Sequence, residues 1–151
     1  MKMLRSQSGF GIVEVMVALV VLAVGMLGIA SLYVTTLRDS NTAISRMQAV
    51  NLVADMADRI RANRFARDAY TKAGAEKDCS NNCSPEDMAA NDRYLWEQQI
   101  EELLPGKADT PKIEYTAGAA SEPDTYTITL DWREPNSDEV LRYALTMQVE
   151  P

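Results

Sequence analysis

The sequence predicts an α+β chain, in which one long N-terminal helix packs by its C-terminal half against a small antiparallel β-sheet. Three observations carry this. Residues 10–67 run as an apolar and then an amphipathic stretch, with no proline before Pro85 and no glycine between Gly28 and Gly74. A second helix start stands at Ser84-Pro85-Glu86-Asp87. Near the C-terminus, two stretches alternate apolar and polar residues with the period of a half-buried strand.

The first element begins behind a short polar head holding Lys2 and Arg5. Residues 15–37 are 23 uncharged residues, mostly Val, Leu, Ala, Met and Ile. A membrane-spanning helix needs roughly 20 such residues. Lys2 and Arg5 would keep the N-terminus on the cytoplasmic side. The stretch is too long for the apolar region of a secretory signal peptide, which spans about 7–15 residues. Glu14 is the only acid before Asp39. A carboxylate deep in a bilayer costs several kcal/mol unless it is paired or protonated, and less near the interface. Glu14 therefore either marks where the apolar helix begins or has a partner.

These residues carry a family resemblance. The segment Gly9-Phe10-Gly11-Ile12-Val13-Glu14-Val15-Met16-Val17-Ala18-Leu19 resembles the class III leader and N-terminus of type IV pilins and type II secretion pseudopilins. The resemblance implies cleavage between Gly9 and Phe10 by a prepilin peptidase, and N-methylation of Phe10 by the same enzyme. It makes Glu14 the family's acid at the fifth mature position, with a role in assembly. Further segments resemble the PilV family of minor pilins: Ala23-Val24-Gly25-Met26-Leu27-Gly28, Asp55-Met56-Ala57-Asp58-Arg59-Ile60-Arg61-Ala62-Asn63, Cys79 and Cys83, Trp96, and Leu104-Pro105-Gly106. Ser31 stands where major pilins commonly carry a helix-kinking proline, and Gly25 and Gly28 are the remaining weak points.

The domain organisation expected on this basis is a leader over residues 1–9, a membrane and fibre-core half-helix over residues 10–37, and an extracytoplasmic domain over residues 38–151. The last part, 114 residues, is enough for a small core. The net charge of −7 falls to −9 once Lys2 and Arg5 are removed, which argues against nucleic acid as a partner.

Past Leu37 the helical spacing continues through Ile44, Met47, Val50, Ala54, Ala57 and Ile60. A single helix over residues 10–67 would be roughly 87 Å long at 1.5 Å per residue, far more than a membrane crossing. The alternative is two helices broken near Ser40-Asn41, residue types that favour caps and turns. Gly25 and Gly28 are three apart, so they are not a small-xxx-small pair.

Residues 68–84 read as a loop holding Cys79 and Cys83, the only two cysteines. An exported chain with two cysteines is expected to oxidise them into a disulfide. Metal binding is not expected: there are no other thiols and no histidine, and CxxxC is one residue longer than the redox motif. Ser84 can cap the second helix with Pro85 at its first position, and the run ends at Leu104-Pro105-Gly106. Trp96 in its middle is read as core.

Residues 112–116 form a short candidate strand, and residues 118–122 a loop. Tyr126, Ile128, Leu130 and Trp132 alternate with Thr127, Thr129 and Asp131. After a turn at Glu134-Pro135-Asn136-Ser137-Asp138, Leu141, Tyr143, Leu145, Met147 and Val149 alternate with polar or small residues. Such strands need a cover, and the second half of the long helix is the natural one.

No catalytic constellation emerges: no histidine offers a base or a zinc ligand, and the glycines form no phosphate loop. Neither enzyme activity nor a cofactor is expected. The resemblance implies a minor pilin subunit supporting type IV pilus assembly, with roles in twitching motility or adhesion. Its partners would be prepilin peptidase, other pilin or minor pilin subunits and the inner-membrane assembly platform. The chain would sit in the inner membrane with a periplasmic C-terminal domain and pass into a surface pilus. The alternatives are a type II secretion pseudopilin, or a plain single-pass membrane protein with a periplasmic binding domain.

Overall fold

The computed structural model describes residues 9–106, 110–119, 122–134 and 139–150. Its elements are helix α1 (Ile12–Ala62), a 3-10 segment (Arg64–Thr71), helix α2 (Pro85–Leu103), and strands β1 (Lys112–Thr116), β2 (Asp124–Arg133) and β3 (Val140–Val149). The chain divides into two compact units, Met1–Asn41 and Thr42–Pro151. The expected α+β architecture is present, and α1 continues through Ser40-Asn41 without a break.

In the second unit, α1 buries Ser45, Ala49, Leu52, Val53, Met56, Ala57 and Ile60. Steps of three and four residues put these on one stripe. It is offset from the apolar spacing in the sequence, because Ile44, Met47 and Val50 are exposed. Small residues, Ser45, Ala49 and Ala57, hold part of the stripe and let the rest of the unit approach the helix closely.

The helix ends at Ala62, five residues before the expected end, and Asp68–Thr71 is 3-10 helix rather than loop. The cause is the Asn63 side chain. Its Nδ2 donates to the Pro85 carbonyl at 2.8 Å and to the Tyr70 hydroxyl at 3.3 Å, which draws the chain aside. Tyr70 is fully buried; its hydroxyl donates to Asp92 Oδ2 at 2.8 Å and lies 3.3 Å from the Arg59 carbonyl. Arg59 also reaches Asp92 Oδ1 at 3.0 Å. This network joins α1, the 3-10 segment and α2. Burial pushes the Tyr70 phenol well above its ordinary range, so it stays a donor.

Arg67 bends the 3-10 segment with φ 45° and ψ −117°, a conformation costly for any residue with a side chain. Several bonds hold it. Its guanidinium meets Asp124 through Nε and Nη2, both at 3.2 Å, and the Tyr115 hydroxyl at 3.0 Å. The Tyr126 hydroxyl donates to its carbonyl at 3.0 Å. The 3-10 segment is thereby fastened to β1 and β2.

Helix α2 starts as expected. Ser84 Oγ accepts from the Asp87 backbone N–H at 3.1 Å, and Pro85 occupies the first turn. Gly74 runs so close to α2 that a Cβ there would collide with the Tyr94 backbone, and Ala75 N–H donates to the Ala90 carbonyl at 3.0 Å. Trp96 is fully buried, and its indole N–H donates to the Leu52 carbonyl of α1 at 2.8 Å. At the far end, Gly106 takes φ 58° and accepts from Arg133 N–H at 2.9 Å.

The sheet is antiparallel in the order β1-β2-β3, with Ile113 opposite Ile128 and Ile128 opposite Leu145. Tyr126, Ile128, Leu130 and Trp132 are buried as the alternation predicts. Asp131, on the other face, is also buried, because Arg142 across the strand pair covers it with two bonds of 2.8 and 2.9 Å. Pro135, Asn136, Ser137 and Asp138 of the expected turn, Ala120 and Ser121 of the expected loop, and Lys2 and Arg5 of the leader lie outside the described residues.

Trp96→Ala is expected to destabilise the chain by about 3–5 kcal/mol, because it opens a cavity and removes the indole bond to the Leu52 carbonyl. Phe65→Ala, at a residue 69% exposed, should change stability by no more than about 0.5 kcal/mol. Urea unfolding of the full chain in detergent measures both. The carboxyls give a pH expectation. Burial alone would raise Asp124, but Arg67, the Gly118 N–H and Tyr115 outweigh it and hold it below the ordinary carboxylate range. Arg142 lowers Asp131 in the same sense. Both lowered groups stabilise the fold fully above the unfolded pKa of about 3.9, and that contribution is lost as pH falls through the folded values. Asp131→Asn should therefore show a shallower loss of stability than the original chain below about pH 4 in acid titrations of the unfolding midpoint.

Candidate functional site: the N-terminal segment

Gly9, Phe10 and Gly11 precede α1. Its hydrogen-bond ladder opens where Glu14 N–H and Val15 N–H both donate to the Gly11 carbonyl, at 3.0 and 3.3 Å. Glu14 is thus in the first turn, where the unpaired N–H groups favour a negative charge. Phe10 is 80% exposed and stands four residues before Glu14. The peptide bond between Gly9 and Phe10 joins two exposed residues outside helix and strand.

Beyond Glu14 the helix is apolar on every side. Each described residue from 9 to 41 is exposed. Val13, Met16, Val17, Val20 and Val21 together line one shallow apolar surface at three- and four-residue steps. Two of its hydroxyls bond back onto the helix: Thr35 and Thr36 donate to the Ser31 and Leu32 carbonyls at 3.2 and 2.9 Å. Satisfied hydroxyls of this kind are compatible with a lipid or helix surface. Gly25 and Gly28 have no atom near the position of a missing Cβ, so both remain open to a close neighbour. By length and composition, α1 is able to cross a membrane.

The second unit carries the expected disulfide. Cys79 and Cys83 are bonded, with Cα atoms 4.9 Å apart. The enclosed turn places Asn82 at φ 51°. It is moored to α2 by Lys77, whose N–H donates to Asn91 Oδ1 at 3.1 Å and whose ammonium meets Asp87 at 3.0 Å. Glu14 and the disulfide fall in different units. Among the described residues, no cluster of His, Cys, Asp and Glu could hold a metal ion.

The groups that sequence reasoning missed are Arg67, Tyr70 and Asp124. Tyr70 lay in a stretch read as loop. A lone tyrosine three residues after an arginine carries no periodic signal, so only the fold brings it to Asp92.

Comparison with curated proteins and with solved structures gave no match. Comparison with protein families gave two. Residues 4–30 match the prokaryotic N-terminal methylation motif. Residues 31–94 match the Tt1218-like family, described as type IV pilin Tt1218. The two matched regions abut after residue 30, so the match to the methylation motif over the leading acid and the apolar helix passes directly into the match to the type IV pilin family over the start of the globular unit.

Proposed function

We propose that this chain is a minor pilin of the PilV kind, made with a leader, held in the inner membrane by α1 and then built into a surface fibre. The observation that carries the reading is the apolar, exposed first part of α1 headed by Glu14, most of it within the matched methylation motif. Prepilin peptidase removes residues 1–9 by cutting between Gly9 and Phe10, and methylates the new amine of Phe10. The domain on the periplasmic side starts near residue 38. The chain performs no reaction itself; it is the substrate of the processing enzyme and a part of the fibre.

Glu14 is the assembly residue in this reading. Cleavage leaves a positive amine on Phe10, and methylation keeps it basic. When apolar helices bundle, that charge and Glu14 both leave water, and either one unpaired is costly. A close pair offsets much of that cost. Pairing Glu14 with the amine of a neighbouring subunit sets the axial step between adjacent helices, and the assembly platform positions the two.

Intact-mass measurement of the protein from native membranes should find a chain starting at N-methylated Phe10. A mass retaining residues 1–9 would overturn the pilin reading. Glu14→Gln keeps the size and removes the charge. It should leave cleavage and membrane insertion unchanged and lower recovery in sheared fibres at least tenfold. Equal recovery of the two proteins in the fibre pool would show that the carboxylate is not the docking group.

A further inference from the structure

β3 forms one edge of the sheet over ten residues, and no described segment pairs with its outer side. An open edge presents a row of N–H and C=O groups that another strand can satisfy. Proteins normally blunt such an edge with proline, an inward charge or a covering element. β3 has no proline, and its core-side residues Leu141, Tyr143, Leu145, Met147 and Val149 are uncharged. The other edge, β1, is only five residues long and lies against the 3-10 segment.

Burial along β3 is graded. Met147 and Val149 are buried, whereas Leu141, Tyr143 and Leu145 are half-covered. The β2 residues opposite these three, Trp132, Leu130 and Ile128, are buried. The core is therefore left uncovered along this edge, toward the start of β3. A groove of about 260 Å³ lies there, lined by Arg46, Val50, Trp132, Leu141, Arg142 and Tyr143. Trp132 is 4% exposed, yet its indole N–H has no hydrogen-bond partner among the described residues, an independent sign that the site is incomplete.

The groove also has a charge preference. Glu134 accepts from Thr42 Oγ1 at 3.1 Å and from Arg46 Nε at 3.3 Å, so Arg46 is held beside the groove while remaining 59% exposed. A guanidinium above an apolar slot favours a carboxylate beside an apolar side chain.

We infer that the edge of β3 accepts one further strand from the globular part of a different subunit. An apolar side chain of that strand fills the groove, and an adjacent carboxylate meets Arg46. Main-chain bonds to β3 supply the affinity and the groove supplies the selection. The pilus-subunit reading enters only in naming the donor as a subunit.

Hydrogen exchange, read by mass spectrometry on the full mature chain, tests this. The chain is compared as a dilute detergent monomer and in native envelopes with their sheared fibres. Amides of β3 should exchange at least tenfold more slowly in the native material, with α2 unchanged. Leu141→Lys puts a charge on the inner side of the edge and should abolish that protection. Arg46→Gln, which removes the charge at an exposed side chain, should weaken it severalfold. Equal β3 exchange in monomer and native material overturns the inference. So does protection that appears in the purified chain alone as its concentration rises, because the donor is then a second copy. A chain present in fibres with β3 unprotected sinks this inference and leaves the pilin reading standing. Protection in envelopes without fibre incorporation does the reverse.

Discussion

From residue 15 to residue 37, α1 carries no charge and offers water no face of its own, and every described side chain in that unit is exposed. At roughly 25 cal/mol per Å² of apolar surface, such a helix cannot remain in water. By length and composition it is suited to an apolar surrounding, and the proposed pilin role supplies two in turn, lipid and then other helices. A single acid at the head of this segment acquires meaning from that constraint. In water Glu14 would be unremarked, but in an apolar bundle it demands a partner, and under the proposed processing the amine of Phe10 would stand four residues away.

The second unit answers a different requirement. Beyond Asn41 the same helix has only one stripe to bury, and a small sheet with one short helix must cover it. The core is modest, so polar ties position its pieces. The Arg59–Asp92–Tyr70–Asn63 network fixes where α1 stops and how α2 begins. The Arg67–Asp124 pair fastens the 3-10 segment to the sheet, at a backbone conformation that needs such support. The disulfide closes a five-residue turn, and Lys77 moors that turn to α2. Little of this unit's order comes from helix or strand propensity alone.

The elements that could be read from sequence are those with a strong local signal. Ser84-Pro85 marked the start of α2, Leu104-Pro105-Gly106 its end, and the alternation around Tyr126 and Leu145 the two long strands. Trp96 was placed in the core, and it is there. The end of α1 was misplaced by five residues because helical periodicity persists past Ala62, while the group that stops the helix, Asn63, acts through Pro85 and Tyr70. Apolar spacing alone does not say which positions are covered: of those that carried it, Ala57 and Ile60 are buried, whereas Ile44, Met47 and Val50 are exposed. Buried Asp131 was invisible for want of its partner, which arrives eleven residues later across the sheet. The N-terminal site is proposed from a resemblance carried by six consecutive residues, Gly9 to Glu14, so its reading needs no contact made elsewhere in the fold.

The central claim is that one helix serves an apolar surrounding in its first part and a watery one in its second. Single-cysteine labelling in intact cells tests it most directly, with the native cysteines bonded to each other. Leu22→Cys lies in the apolar segment and Ala54→Cys on an exposed position of the second unit. With a water-soluble maleimide, Ala54→Cys should be labelled readily, and Leu22→Cys should stay unlabelled in both membrane and fibre pools. Labelling of Leu22→Cys to a similar extent would contradict the account.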